Sequence, residues 1–247
     1  MNNKDCLIKN AKESINAIIS NEQADVFMAY MDYLLEWNKK FNLTAITEPE
    51  EMIVKHFIDS ISVLTQSGIV FDRGDRIIDV GSGAGMPGIP IKIMRPDLNI
   101  TMLDATKKKA DFLSGAIEAL SLGTSGQEKI QALWSRAETA GKETAYREKF
   151  DVCVSRAVAD LSVLAEICLP FVKVNGYFLA MKGREINDEL KNANAAISAL
   201  GGSVLDVKTV NLPLCDVVHT IIVVKKVRQT PAKYPRIYGQ ITKNPAK

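Results

Sequence analysis

The chain has 247 residues and a net charge of +2, with 47% hydrophobic and 24% charged residues. This length and composition are typical of a globular protein with one large α/β domain, and no apolar run reaches the roughly 20 residues that a membrane-spanning helix needs. Because the N-terminus has no signal-peptide pattern and the four cysteines lie far apart, we expect a cytoplasmic protein with reduced thiols and without a metal site, a disulfide framework or a membrane partner.

Helices are predicted throughout the N-terminal region. Apolar side chains recur at helical spacing over residues 5–20 and 24–40. The string Thr47-Glu48-Pro49-Glu50 has the form of a capping box and starts a third helix over residues 49–66. We therefore predict that residues 1–70 form a helical cap.

From Arg76 onward, short apolar strands alternate with amphipathic helices. The strands are predicted at 76–80, 99–103, 129–133, 150–155 and 176–181, and the helices near 88–94, 107–121, 136–146, 160–172 and 184–200. Such alternation is typical of a parallel sheet with helices on both faces. Two further β-rich runs, 203–210 and 218–226, are joined by a segment too short for a helical crossover, so they must pair antiparallel.

The predicted fold is therefore a Rossmann-like α/β domain over residues 71–228, with a seven-stranded, mostly parallel sheet and an antiparallel final strand. Residues 229–247 are predicted to form a basic tail, since the last 31 residues contain seven Lys or Arg and no acid. Tyr234 and Tyr238 lie among these bases. This pattern is typical of an arm that follows an RNA backbone and stacks on bases, and a solvated basic terminus is the alternative.

A glycine-rich turn, Gly81-Ser82-Gly83-Ala84-Gly85-Met86-Pro87-Gly88, follows the first strand. A turn of this kind lets a nucleotide-shaped ligand approach the backbone, and Asp104 at the end of the second strand can accept hydrogen bonds from ribose hydroxyls. Asp104 could instead cap the helix that begins after Thr106. A tight turn that binds nothing is another interpretation, although such a turn seldom needs four glycines in eight residues.

Two cofactors fit this turn. Its last three glycines form the G-x-G-x-x-G fingerprint, which favours a nicotinamide dinucleotide. However, that fingerprint starts about three residues after the strand, and Pro87 removes an amide where a pyrophosphate would be bound. The register after the strand favours S-adenosyl-L-methionine beside Asp79, Gly81 and Gly83, because Asp79 offers a carboxylate to a sulfonium and an ammonium. The antiparallel last strands agree, since they are typical of class I S-adenosylmethionine-dependent methyltransferases.

Strings on both sides of the turn resemble one protein family. Residues 37–46, 55–60, 79–90, 155–157 and 179–183, together with the ending Tyr234-Pro235-Arg236, resemble the RsmG (GidB) family over nearly the whole chain. Members of that family are bacterial methyltransferases that use S-adenosylmethionine to methylate nitrogen 7 of a guanine in 16S rRNA. The resemblance implies the same activity, with 16S rRNA or the small ribosomal subunit as partner, and we predict no protein partner.

The resemblance also implies cofactor contacts. Gly81 and Met86 are expected to contact the cofactor, although a bulkier apolar residue is common at the position of Met86. Ala137 and Glu138 are expected to hold the adenine end, and Arg156 to lie at the mouth of the cofactor or substrate site. The string 135–138 is also a capping box, so a purely structural role for Glu138 stays open.

We predict RNA contacts at Asn42, His56, Arg156, Lys182 and Arg236. Asn42 lies in one of the family strings, Lys182 follows the fifth strand at the edge where ligands bind, and Arg236 lies in the basic tail. Arg156 can donate paired hydrogen bonds to a guanine edge, a phosphate or the carboxylate of the cofactor. A partly buried structural role is the alternative for His56.

No catalytic general base is predicted, because nitrogen 7 has an in-plane lone pair and no proton to lose, so positioning suffices. Cys153 would be the candidate nucleophile of a C5-pyrimidine methyltransferase, but it lies inside the fourth strand and is more typical of a core residue. Two other functions remain open at this point. One is an NAD-dependent oxidoreductase, and the other is a non-catalytic RNA-binding factor in ribosome assembly.

Overall fold

The computed structural model describes residues 2–124, 128–156, 159–212 and 217–246. Its helices are α1 (Asn3–Ile15), α2 (Asn21–Asn38), the three-part α3 (Pro49–Met52, Ile53–Ile58 and Asp59–Gln66), α4 (Gly88–Met94), α5 (Lys107–Ala119), α6 (Ala137–Ala140), α7 (Leu161–Cys168), α8 (Asn187–Ala199) and α9 (Tyr238–Lys243). Its strands are β1 (Arg76–Val80), β2 (Asn99–Asp104), β3 (Ile130–Trp134), β4 (Phe150–Arg156), β5 (Val172–Lys182), β6 (Gly202–Leu212) and β7 (Val217–Lys226). Within these described ranges, no helix is both long and apolar enough to cross a bilayer.

The strands form one seven-stranded sheet in the order β3-β2-β1-β4-β5-β7-β6. Strands β1 to β5 pair in parallel, whereas β7 pairs antiparallel with both β5 and β6. The predicted Rossmann-like sheet with an antiparallel end is confirmed, and the short connection at 213–216 lies outside the described residues. The strand order reverses between β1 and β4, and in open α/β sheets ligands bind at the carboxyl ends of the strands beside such a reversal.

The N-terminal helices pack on one face of the sheet and share its hydrophobic core. The rings of Phe27 and Tyr30 lie 5.1 and 5.5 Å from the ring of Phe57, and all three side chains are buried. The Tyr30 hydroxyl also donates a hydrogen bond to the Ala84 carbonyl in the glycine turn. Helix α2 therefore holds the turn as well as completing the core.

Helix α3 changes geometry in its middle. Residues Ile53–Ile58 form a π-helix, in which the Asp59 amide donates to the Val54 carbonyl five residues earlier. In an α-helix that amide would bond to the Lys55 carbonyl instead. The apolar pattern correctly predicts one helix from 49 to 66, but a pattern of this length does not reveal the extra residue in one turn.

Several predicted elements differ in length from those observed. Helix α1 ends at Ile15, before the predicted end at residue 20, where Asn16 takes a left-handed φ of 54°. Helix α7 ends at Cys168 instead of residue 172, because a 3-10 turn follows it. The helix predicted over 136–146 is confined to Ala137–Ala140, because the Gly141 carbonyl binds the Arg147 guanidinium and the chain then turns at Glu148, which has a φ of 53°. Strand β5 starts at Val172, four residues before the predicted start at 176, because an irregularity in its pairing with β4 lets the strand continue through Gly176.

The C-terminal segment packs against the domain instead of extending as an arm. Tyr234 and Lys226 are buried, and the Lys226 ammonium donates to the carbonyls of Leu169 and Val172 at 2.6 and 3.0 Å. Arg236 forms an ion pair with Glu166, whose side chain is fully buried. Composition does not reveal such pairing, because these partners lie far away in the sequence.

Candidate active site

The glycine turn has a backbone that only glycine adopts readily. Gly81, Gly83 and Gly85 have φ values of 78°, 57° and 89°, in the left-handed region. The amides of Gly81 and Ser82 both donate to the Leu103 carbonyl near the end of β2, at 2.8 and 3.1 Å. The turn therefore lies over the carboxyl ends of β1 and β2.

Two carboxylates hold the turn through its amides. Asp79 accepts a hydrogen bond from the Gly88 amide at 3.0 Å, and Asp104 accepts one from the Gly83 amide at 3.0 Å. The other oxygen of Asp104 accepts from the Thr106 amide at 2.8 Å, so Asp104 also orders the start of α5. Amides that a pyrophosphate would need are thus bound to acids, which disfavours a dinucleotide.

Asp79 is a fully buried carboxylate with incomplete hydrogen bonding. Its Oδ1 atom has no hydrogen-bond partner among the described residues. Burial raises the pKa of Asp79 to about 7, despite the hydrogen bond from Gly88. A cation close to the turn would favour the charged form, so the site fits a ligand that carries positive charge.

A cavity of about 470 Å³, the main cavity, opens at the carboxyl ends of β1, β2 and β4. Its volume lies within the usual range for small-molecule sites. Five of the residues predicted to bind the cofactor line it: Gly81, Asp104, Ala137, Glu138 and Arg156. Acidic acceptors at the ends of β2 and β3 and apolar walls beside them suit a ligand with a ribose and an aromatic base.

A smaller inner cavity of about 170 Å³ is lined by Gly83 and Met86. These are the remaining predicted cofactor contacts, apart from Asp79, which is buried. The Met86 sulfur lies 3.7 Å from the hydroxyls of both Tyr30 and Ser60. Arg156 lines this cavity as well as the main one.

A lateral cavity of about 330 Å³ opens beside the main one. Its lining includes His56, Asp59, Lys182, His219 and again Arg156. Arg156 therefore lies where the main, inner and lateral cavities meet.

The Arg156 guanidinium is fixed by α3. It donates to the Lys55 carbonyl at 3.0 Å and to the Asp59 carboxylate at 2.8 Å. The Lys55 carbonyl lies in the π segment, where the Asp59 amide bonds to the Val54 carbonyl instead. Arg156 is thereby held in one orientation at the end of β4.

The groups around Arg156 have perturbed acidities. Burial and the nearby guanidinium lower the pKa of His56 to about 4, so its ring is neutral at physiological pH; its Nε2 lies 2.8 Å from the Thr44 hydroxyl. Burial raises the pKa of Asp59, but His219 and Arg156 outweigh it and leave that pKa below its usual value. The His219 Nδ1 atom lies 2.8 Å from Asp59 Oδ1, although the two atoms are poorly aligned for a hydrogen bond.

The other predicted RNA contacts lie at separate places in the structure. Lys182 lines the lateral cavity, but its ammonium already binds the Ala159 carbonyl and the Glu189 carboxylate, each at 2.6 Å. Asn42 is exposed in the loop after α2, and Arg236 is paired with Glu166. Neither of these last two residues lines the three cavities described above.

Three polar residues that line the main cavity are not assigned to the cofactor site from the sequence: Lys109, Arg136 and Tyr238. From the sequence, Tyr238 is instead one of the rings expected to stack on RNA bases. Arg136 immediately precedes the predicted Ala137, so its position in the sequence was a usable signal. Lys109 lies in the first turn of α5, five residues after Asp104. Tyr238 reaches the cavity from the C-terminal segment, about 100 residues after Ala137 in the chain, and no local pattern indicates it.

Comparison with known proteins agrees with this geometry. Residues 23–217 match the model of a family described as rRNA small subunit methyltransferase G. The protein named ribosomal RNA small subunit methyltransferase G from Acetivibrio thermocellus is 50% identical over 92% of this chain and 90% of its own length, and its namesake from Alkaliphilus metalliredigens is 45% identical over 98% of both. The fold also resembles a geranyl diphosphate methyltransferase in complex with S-adenosylmethionine, with a TM-score of 0.51 and 12% identity over 68% of this chain and 84% of that one.

Proposed function

The chain belongs to the rRNA small subunit methyltransferase G family and is an S-adenosylmethionine-dependent rRNA methyltransferase; within that activity, we propose that it methylates nitrogen 7 of a guanine in 16S rRNA. One observation carries this proposal. The guanidinium of Arg156 lines both the main cavity, which we propose for the methyl donor, and the lateral cavity, which we propose for the acceptor base.

The cofactor is proposed to lie in the main cavity. Asp104 would accept hydrogen bonds from its ribose hydroxyls, since each carboxylate oxygen has a second lone pair. Ala137 and Glu138 would hold its adenine, and Asp79 beneath the turn would compensate its positive charge. When bound, S-adenosylmethionine supplies an electrophilic methyl group on a sulfonium.

The acceptor guanine is proposed to enter the lateral cavity. Guanine presents O6 and nitrogen 7 as neighbouring acceptors on one edge, and a guanidinium is the usual donor to that edge. A hydrogen bond from Arg156 to O6 would leave nitrogen 7 facing the main cavity. His56 and Lys182 would contact the base or its phosphate, and Asn42 and Arg236 are proposed to contact the RNA outside the cavity.

The titratable groups near this junction suit an acceptor that has no proton to lose. His56, with a pKa of about 4, and Asp59, with a lowered pKa, are poor bases at neutral pH. Burial, together with the neighbouring Cys168, raises the pKa of Cys153 well above its usual value, which disfavours a thiolate nucleophile for a carbon acceptor. Orientation is therefore the main contribution that these side chains would make.

The decisive experiment incubates 16S rRNA, and separately small subunits, from cells that lack this gene with the protein and labelled S-adenosylmethionine. Borohydride and aniline treatment then cleaves the RNA at 7-methylguanosine. We expect one new cleavage site, and comparing the two substrates identifies the form that is recognised. Label recovered at a carbon or an exocyclic amine would contradict the proposal.

Arg156→Lys tests the residue on which the proposal depends. Lysine keeps the charge but loses the planar pair of donors, so we expect kcat to fall about 100-fold, as on removal of one preorganised donor. Arg73→Lys is the matched control, because Arg73 is exposed before β1. Unchanged kcat in Arg156→Lys would count against the proposed acceptor site.

A further inference from the structure

The C-terminal segment, residues 227–246, is attached to the domain by buried polar contacts. The Arg147 guanidinium donates to the carbonyls of Gly141, Tyr234 and Thr230 at 3.0, 2.8 and 2.7 Å. These contacts fix the start of the segment beside the turn that follows α6. The segment is thus directed toward the edge of the main cavity.

A second attachment lies two residues before α9. The Arg236 backbone amide and Nε both donate to Glu166 Oε1, at 2.9 and 2.8 Å, and a terminal nitrogen of Arg236 donates to Oε2 at 2.5 Å. Glu166, on α7, is fully buried, and a buried carboxylate requires a charged partner of this kind. The next residue on α7, Ile167, lines the main cavity. The ion pair therefore joins the C-terminal segment to the wall of that cavity.

Tyr238, at the start of α9, completes the wall. Its side chain is half-buried and lines the main cavity together with Ala137 and Glu138. The Arg136 guanidinium lies 5.5 Å from the centre of the Tyr238 ring and donates to Glu138 at 2.6 Å. A carboxylate, a guanidinium and an aromatic ring thus form a continuous rim at the carboxyl end of β3.

We propose that Tyr238 is a cofactor-binding residue that packs against the adenine of S-adenosylmethionine, and that the Arg236–Glu166 ion pair is the device that positions it. The location of the adenine beside Ala137 and Glu138 rests on the proposed function. A purine has two apolar faces, and an aromatic side chain next to it contributes strongly to affinity. The basic C-terminal segment is then part of the cofactor site, because its Tyr238 ring contacts the methyl donor.

Isothermal calorimetry with S-adenosylhomocysteine tests the role of the ring. We expect Tyr238→Ala to weaken binding roughly 5- to 100-fold, and Tyr238→Phe to bind within about twofold of the wild type. Gln240→Ala is the matched control, because Gln240 is exposed on the same helix and does not line the main cavity. Thermal unfolding of each variant reports whether α9 still packs, and Tyr238→Leu, which keeps apolar volume there, is expected to weaken binding as well.

The positioning role has a separate readout. Arg236→Ala is expected to weaken binding of S-adenosylhomocysteine in the wild-type background but to add little in the Tyr238→Ala background. For 5′-methylthioadenosine, which lacks the amino-acid part, we expect the same fold loss in Tyr238→Ala, since the ring acts at the adenine.

Wild-type affinity in Tyr238→Ala, or an Arg236→Ala effect of equal size in both backgrounds, would overturn the inference. A wild-type protein that does not bind S-adenosylhomocysteine would instead contradict the cofactor assignment itself. Weak binding by Asp104→Asn alongside normal binding by Tyr238→Ala would leave that assignment intact and remove only the role of the tyrosine.

Discussion

Replacing Asp79 by Asn should change stability in a pH-dependent way and weaken binding of the cationic cofactor. Asp79 is fully buried, and burial raises its pKa from 3.8 to about 7. The folded state therefore favours the protonated acid. The stability that this proton confers is present below the ordinary pKa and is lost as the pH rises through 7.

The magnitude follows from the two pKa values. Their difference of about 3 units corresponds to about 4 kcal/mol in total, of which about 2 to 3 kcal/mol is lost between pH 5 and pH 8. Asn at this position still accepts from the Gly88 amide but buries an unsatisfied amide group, which costs about 1–3 kcal/mol at every pH. The variant should therefore gain stability relative to the wild type as the pH rises from 5 to 8.

Urea unfolding of both proteins at pH 5 and pH 8 gives the difference in unfolding free energy between variant and wild type at each pH. The change in that difference isolates Asp79, because the titration of other groups largely cancels. We expect the variant to improve relative to the wild type by about 2 to 3 kcal/mol at the higher pH. Asp72→Asn, at an exposed position, should show no such change. In calorimetry, Asp79→Asn should lose more affinity for S-adenosylmethionine than for uncharged-sulfur S-adenosylhomocysteine. An equal stability difference at both pH values would refute the reasoning.

Three further predictions concern the same region. The wild type should lose stability between pH 6.5 and 4, because a histidine with a lowered pKa of about 4 is neutral when folded and protonated when unfolded. In urea unfolding, His56→Gln should reduce this loss by up to about 3 kcal/mol. The same dependence of stability on pH in both proteins would contradict this. Gly88→Ala would place a Cβ 2.8 Å from Met102 Cγ, so we expect a lower Tm and weaker S-adenosylhomocysteine binding, whereas Gly239→Ala, with nothing within 4 Å, should be tolerated. Tyr30→Phe leaves a carbonyl of the glycine turn unpaired and should cost about 1–3 kcal/mol of stability by denaturant unfolding, and a neutral result would show that the turn is held without this bond.

The sheet was predictable because its strands are short apolar runs between clear turns. Strand β1 and helix α4 begin and end where the pattern places them, and the antiparallel pair follows from a connection too short for a helix. Helix α6 could not be predicted in length, since its end depends on the side chain of Arg147 returning from a later turn. The path of the C-terminal segment depends in the same way on the Arg147 guanidinium and on the buried acid Glu166.

The candidate site was predictable where the chain itself places groups at strand ends. Gly81, Asp104 and Arg156 each follow or close a strand, so they meet at one edge of the sheet. The charge state of Asp79 and His56 was not predictable, because burial depends on side chains from several elements. The position of Tyr238 in the cofactor cavity was missed for the same physical reason: its neighbours in space are not its neighbours in sequence.

The π segment of α3 has a consequence for how the helix tolerates change. Each residue of an α-helix rotates the chain by about 100°, so the extra residue in the π segment sets the section from Asp59 onward about 100° away from where an unbroken α-helix of the same sequence would place it. Removing a single residue from the segment would restore regular α geometry and leave the sections on either side in nearly the same phase. Closing the segment into α geometry with all its residues kept would instead rotate Asp59 by about 100°, away from Arg156. The helix would then keep the same residues but lose the contact between Asp59 and the Arg156 guanidinium. The orientation of Arg156 thus depends on the local geometry of the helix as well as on which residues it contains.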